Sequence, residues 1–190
     1  MAKLQIFSGR ISSTGFSSGD RFVIGDWLDS PLGSFTNVMW AKPDDRRVLL
    51  SPSREHADYV NELYNFEEVR VVEIEVKRSR RGMSIDAGEV SINLGWGSPI
   101  SIPFWRPLWF IASVEYFFGR MVFGTRTFGR TKNGRREWYS VRSISRIIRA
   151  EGEIDGSRLG EKVSFEPGSC FGFSNPPYKP STVVLKSYIE

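Results

Sequence analysis

FGRTKNGRREWYSV, Phe128 to Val141, wraps an Asn-Gly pair in basic residues and aromatic rings. Asn133 and Gly134 both tolerate positive φ, so they predict a tight hairpin turn whose twist matches the strands it joins. If these two residues form the whole loop, Lys132 faces Arg135, Arg130 faces Glu137, Phe128 faces Tyr139 and Arg126 faces Val141 on one surface. Gly129 faces Trp138 on the other. The register is chemically sensible, because Glu137 neutralises Arg130 and the rings of Phe128 and Tyr139 pack.

On either side of this ribbon, short runs rich in Val, Ile, Phe, Trp, Tyr and Thr are punctuated by Gly, Asp, Pro and Ser, which is the pattern of a mainly β chain. Lys3 to Gly9 and Asp20 to Trp27 read as the first strands, with STGFSSG as the turn region between them. Phe35 to Ala41 meets Arg46 to Ser51 across KPDD, a second hairpin. EVRVVEIEVK, Glu68 to Lys77, alternates along its length, and Arg70, Val72, Ile74 and Val76 are assigned to the core. Glu153-Ile154-Asp155-Gly156 is a further tight turn, and SNPPYKP, Ser174 to Pro180, is an extended connector.

Two helices are expected. SPSREHADYVNELYNF, Ser51 to Phe66, starts with Ser51 as cap and Pro52 in the first turn, and packs Tyr59, Val60, Leu63 and Tyr64 on the sheet. WRPLWFIASVEYFFGR, Trp105 to Arg120, carries apolar residues around most of its circumference and is expected as a buried, aromatic-rich helix. The expected fold is therefore mainly β: a strongly curved antiparallel sheet or barrel with one amphipathic and one buried aromatic-rich helix, as a single domain over residues 1–190.

Composition narrows the function. The chain has 190 residues, 40% hydrophobic and 25% charged, a globular balance, and its net charge of +4 is too mild to imply nucleic acid. One cysteine, Cys170, excludes an internal disulfide and multi-cysteine metal cages, and one histidine, His56, excludes sites built from several imidazoles. His56 reads as a helix surface residue. The aspartates Asp20, Asp26, Asp29, Asp44, Asp45, Asp86 and Asp155 read as turn or solvent-facing groups, so no metal is implied. There is no dinucleotide fingerprint, phosphate loop or nucleophile elbow, and no cofactor is implied. The N-terminus lacks a signal-peptide pattern and no apolar run reaches the roughly 18 to 20 residues of a membrane span, so a cytoplasmic address is expected.

FGTRTFGRTKNGRREWYSVRSI and SPLGSFTNVMWAKPDDRRVLLSPSREHADYVNELYNFEEVRV together resemble a family of small, mainly actinobacterial proteins with no assigned function. The resemblance spans most of the chain and implies no activity, ligand or site residue.

The leading hypothesis is a noncatalytic ligand-binding or interaction domain; in its ligand-binding form it holds an anionic or amphiphilic small molecule in a hydrophobic cavity. Trp105, Trp109 and Phe117 would hold its apolar body, with Arg120, Arg126 or Arg142 at the head group. Phe128, Arg130, Arg135 and Tyr139 on the ribbon complete the candidate set. The enzyme alternative uses Glu115 or Glu137 with Tyr139 and a nearby arginine, since burial raises a glutamate into the range useful for acid–base work. Weak single-stranded nucleic-acid binding through the basic ribbon is the third hypothesis, and is disfavoured because no RNA-binding motif accompanies the charge.

Overall fold

The computed structural model describes residues 4–102, 127–166, 171–172 and 176–190. Its strands are β1 (Gln5–Phe16), β2 (Arg21–Asp29), β3 (Phe35–Ala41), β4 (Arg47–Ser51), β5 (Glu68–Val71), β6 (Ile74–Ser79), β7 (Gly82–Ala87), β8 (Val90–Trp96), β9 (Ile100–Ser101), β10 (Phe128–Arg130), β11 (Arg136–Ile154), β12 (Ser157–Arg158), β13 (Lys162–Val163) and β14 (Ser181–Ile189). One helix, α1 (Arg54–Leu63), follows β4.

Three of the hairpins share one loop. In β1–β2 the Phe16 amide donates to Asp20 O and Gly19 to Phe16 O; in β3–β4 Lys42 donates to Arg46 O and Asp45 to Lys42 O. In β10–β11 Thr131 donates to Arg135 O and Gly134 to Thr131 O. Each is a three-residue loop ending in a left-handed residue, Gly19, Asp45 or Gly134, with φ of 94°, 66° and 85°. This is a type I turn closed by a glycine-type bulge. The two-residue turn with both centres at positive φ occurs instead at Asp155-Gly156, between β11 and β12.

That loop corrects the expected register. Three residues rather than two slip the pairing by one, so Phe128 lies opposite Trp138, Gly129 opposite Glu137 and Arg130 opposite Arg136. Phe128 packs on Trp138 at 5.2 Å between ring centroids, not on Tyr139. Glu137 faces a glycine and turns inward, away from Arg130.

The hydrogen-bonded strand order is β5-β4-β3-β2-β1-β14-β11-β8-β7-β6, antiparallel throughout except for β4 with β5. β11 is the hinge of the fold: residues 137–146 pair with β14 and residues 147–154 with β8. Register shifts at Val141/Ser143 and Ile147/Arg149 bend it, as bulges do. Among the described residues the end strands β5 and β6 do not pair with each other, so the sheet they form is a curved, open half-barrel and not a closed barrel.

Folding the sheet over β11 buries the first core. Phe16, Phe22, Ile24 and Trp40 from one half meet Ile85, Ile92, Leu94 and Ile147 from the other. Val72, Ile74 and Val76 pack against it as alternation predicts, whereas Arg70 pairs with Glu68 and Glu89. The single strand expected over Glu68–Lys77 is two, because β5 bonds to β4 and β6 lies at the opposite end of the sheet. Asp20 and Asp26, expected in turn or solvent-facing roles, are both buried, Asp20 at the close of the β1–β2 turn. Asp20 accepts from Ser18 Oγ and Trp40 Nε1, both at 2.7 Å; Asp26 accepts from Thr36 Oγ1 and from both Nε and Nη2 of Arg78.

The helix is capped by Ser53, not Ser51, whose backbone carbonyl is committed to the Val72 amide at the end of β4. Ala57, Val60 and Leu63 form its buried stripe, and Val60 and Leu63 pack with Phe7, Phe35 and Leu49 on the other face of the sheet. His56 lies inside this N-terminal structure: Nδ1 is 2.7 Å from Ser53 Oγ, Nε2 is 3.2 Å from Leu32 O, and its ring packs on Phe35. The expectation of a second, aromatic-rich helix is corrected, since none is present among the described residues; the segment 105–120 lies outside them. No helix among the described residues is long and apolar enough to cross a membrane.

Candidate active site

Alternation along β1, β2, β3 and β14 sends one set of side chains into the first core and the other toward α1. On the α1 side lies a cavity of about 1070 Å³ with largely apolar walls, including Phe7, Trp27, Phe35, Met39 and Leu185. Glu137 and Tyr139 enter it from β11, Ser187 from β14 and Tyr64 from the end of α1.

Tyr64 is placed by the helix terminus. It is the C-cap residue, with extended φ of −128°, and its amide donates to Val60 O. The tip of the β10–β11 hairpin docks at the same end: the Lys132 amide donates to Leu63 O at 2.9 Å and its ammonium lies 3.4 Å from Asn61 O. α1 has no basic residue in its last turn, so Lys132 supplies the cation that the partial negative charge there favours. The hairpin thus brings Glu137 and the helix end together.

At their meeting point the Tyr64 hydroxyl donates to both Glu137 oxygens, 2.8 and 2.9 Å away, and Ser187 Oγ donates to Oε1 at 2.7 Å. The Tyr139 hydroxyl lies 3.1 Å from that of Tyr64. Glu137 is 1% exposed. Burial pushes its carboxyl up to about 7, against the pull of hydrogen bonds from Ser187, Tyr64 and Tyr139 and of the Arg135 charge. Burial, and then the Glu137 charge, pushes both phenols well above their ordinary value, so they stay protonated donors. A carboxyl half-ionised near neutrality beside two phenols is equipped both to take a proton and to return it.

The structure brings only part of the expected set together. Tyr139 lines the cavity. Arg135 stands beside it, bonded to Gln5 Oε1, 3.5 Å from the Tyr59 hydroxyl and lowering the Glu137 pKa by its charge. Phe128 is spent on Trp138, Arg130 reaches Gly134 O at 3.1 Å and Arg142 is exposed beside the β11 bulge. Arg136 pairs with Glu190 and covers the Trp138 ring. The basic ribbon is therefore largely committed to its own fold. Trp105, Trp109, Glu115, Phe117, Arg120 and Arg126, with Cys170, lie outside the described residues. Sequence reasoning missed Tyr64 and Ser187 as site residues: Tyr64 sits on an ordinary helical stripe, and Ser187 carries no local signal.

Among the described residues no three His, Cys, Asp or Glu side chains gather as metal ligands. The chain matches no protein-family model, and no curated protein matches it. Among solved structures it resembles the crystal structure of acetoacetate decarboxylase from Legionella pneumophila subsp. pneumophila str. Philadelphia 1, with a TM-score of 0.43 and 10% identity over 98% of this chain and 84% of that one.

Proposed function

We propose that the protein is an enzyme of proton-transfer chemistry, with Glu137 as its acid–base group and a largely apolar carbonyl compound as its substrate. The observation that carries this reading is a single buried carboxyl, raised to about 7 and hydrogen-bonded by Tyr64 and Ser187, in the wall of an apolar cavity. Among the described residues Glu137 is met by the hydroxyls of Tyr64 and Ser187, which favour the carboxylate by donating to it and can rotate to accept from the protonated acid.

In the reaction the Glu137 carboxylate takes a proton from the carbon next to the substrate carbonyl. The C–H bond breaks, its electron pair forms the enolate double bond, and the oxygen gains the negative charge. Tyr139, whose hydroxyl is joined to Tyr64, donates to that oxygen. The protonated Glu137 returns the proton to the same or a neighbouring carbon. A positioned base of this kind contributes about 10²- to 10⁴-fold.

The test is deuterium exchange. Ketones of graded size are incubated with the protein in deuterated water, and loss of the proton signal next to the carbonyl is followed by NMR. Catalysed exchange that Glu137→Gln abolishes supports the reading. Absence of exchange across the panel, or equal exchange by the variant, removes it in favour of a cavity that only binds.

A further inference from the structure

Strand pairing lays out the floor of the cavity as a series of rows. The Glu137 end holds the row Tyr139, Ser187 and Phe7, where Tyr139 pairs with Ser187 and Ser187 with Phe7. At the other end Arg146 pairs with Ser181, and Ser181 with Ser13. All six residues, apart from their pairing, line the same cavity once the inward alternation of β1, β11 and β14 is followed, Arg146 and Ser181 included. Between the rows the lining is apolar: Leu185, Val183, Ile11, Val141 and Ile144.

The far row is chemically unfinished. Ser181 is 4% exposed, yet its Oγ has no hydrogen-bond partner among the described residues. A buried hydroxyl without a partner costs stability unless something else meets it. Beside it Arg146 is exposed, and among the described residues its guanidinium has no ion-pair partner. A hydroxyl donor and a forked cation, side by side at the end of an apolar channel, form the complement of a carboxylate.

Resting on the reading of Glu137 as the proton-transfer group, we infer that the substrate is a long-chain carboxylic acid bearing a carbonyl near its other end, its carboxylate held by Arg146 and Ser181. The six-residue step along β14 from Ser181 to Ser187 corresponds to about 20 Å at ~3.3 Å per residue. A short keto acid cannot bridge that span; an extended acyl chain lying over Val183 and Leu185 can.

Calorimetric titration at sub-micellar concentration, with hexadecanoate, hexadecanol and octanoate as probes, tests the assignment. Wild-type protein is expected to bind hexadecanoate at least about 10-fold more tightly than either of the others. Arg146→Gln, at an exposed position, is expected to weaken hexadecanoate by about 10- to 100-fold while leaving hexadecanol unchanged. Equal binding of acid and alcohol by wild type, no binding of the acid, or an Arg146→Gln variant with unaltered hexadecanoate affinity overturns the inference. If exchange of neutral long-chain ketones survives such a result, the proton-transfer reading stands without the head-group site. If Arg146-dependent acid binding is found but no oxo acid exchanges, the proton-transfer reading falls and the carboxylate site remains.

Discussion

The Tyr64 hydroxyl and the Glu137 carboxylate, 73 residues apart in the chain, meet at 2.8 Å, where the end of α1 touches the β10–β11 hairpin. Neither element carries the site alone. The helix end supplies the phenol, the hairpin strand supplies the acid, and the Lys132 to Leu63 backbone bond holds the two in register.

Activity should follow the ionisation of Glu137. Because the base form is required, kcat/KM for exchange is expected to rise with pH through about 7 and level off above it. In Glu137→Gln that step disappears along with about 10²- to 10⁴-fold of the rate. A wild-type profile flat from pH 5 to 9 would count against Glu137.

Stability should run the other way. The folded-state value of about 7 lies above the ordinary 4.5, so the folded protein binds a proton that the unfolded chain releases between those values. The contribution is fully present below about pH 4.5 and is lost as pH rises through about 7, a change on the order of 3 kcal/mol. Denaturant titrations at pH 5 and pH 8 should show wild type losing more stability across this interval than Glu137→Gln, by about that amount.

Removing the Tyr64 hydroxyl should raise the Glu137 pKa further, since the bond from Tyr64 lowers it. Tyr64→Phe is expected to move the kcat/KM midpoint upward and to reduce the plateau. Carbon-13 NMR titration of labelled glutamate reads the shift directly, and a midpoint that stays or falls would contradict the geometry.

Gly134 tests the loop. A Cβ built there meets nothing within 4 Å, so the cost of substitution comes from its φ of 85° alone. Gly134→Ala should destabilise by about 1–2 kcal/mol and Gly134→Asn by less, because asparagine tolerates the left-handed region. Equal unfolding midpoints for the two variants would argue against the left-handed assignment. Gly152 makes the contrast: a Cβ there would lie 2.7 Å from Phe16 Cζ and 2.9 Å from Leu159 Cδ1, and Gly152→Ala should lose about 1–3 kcal/mol through overpacking.

Periodicity and turn chemistry in the sequence determined most of the local structure. Phe35–Ala41 is a strand with the expected bounds, Tyr59, Val60, Leu63 and Tyr64 turn to the sheet, Val72, Ile74 and Val76 face the first core, and Gly134 sits at positive φ. These follow from interactions between residues a few positions apart, which a linear pattern records. Loop length was less legible: Asn-Gly suits a two-residue turn and the end of a three-residue one equally, and only the Thr131 and Gly134 hydrogen bonds decide between them. That one residue decides which partner faces Glu137. Its inward turn, its raised pKa and its bonds to Tyr64 and Ser187 come from the packing of β11 against β14 and α1. Burial and long-range contact belong to the folded chain; no window of sequence around Glu137 contains the side chains that desolvate it.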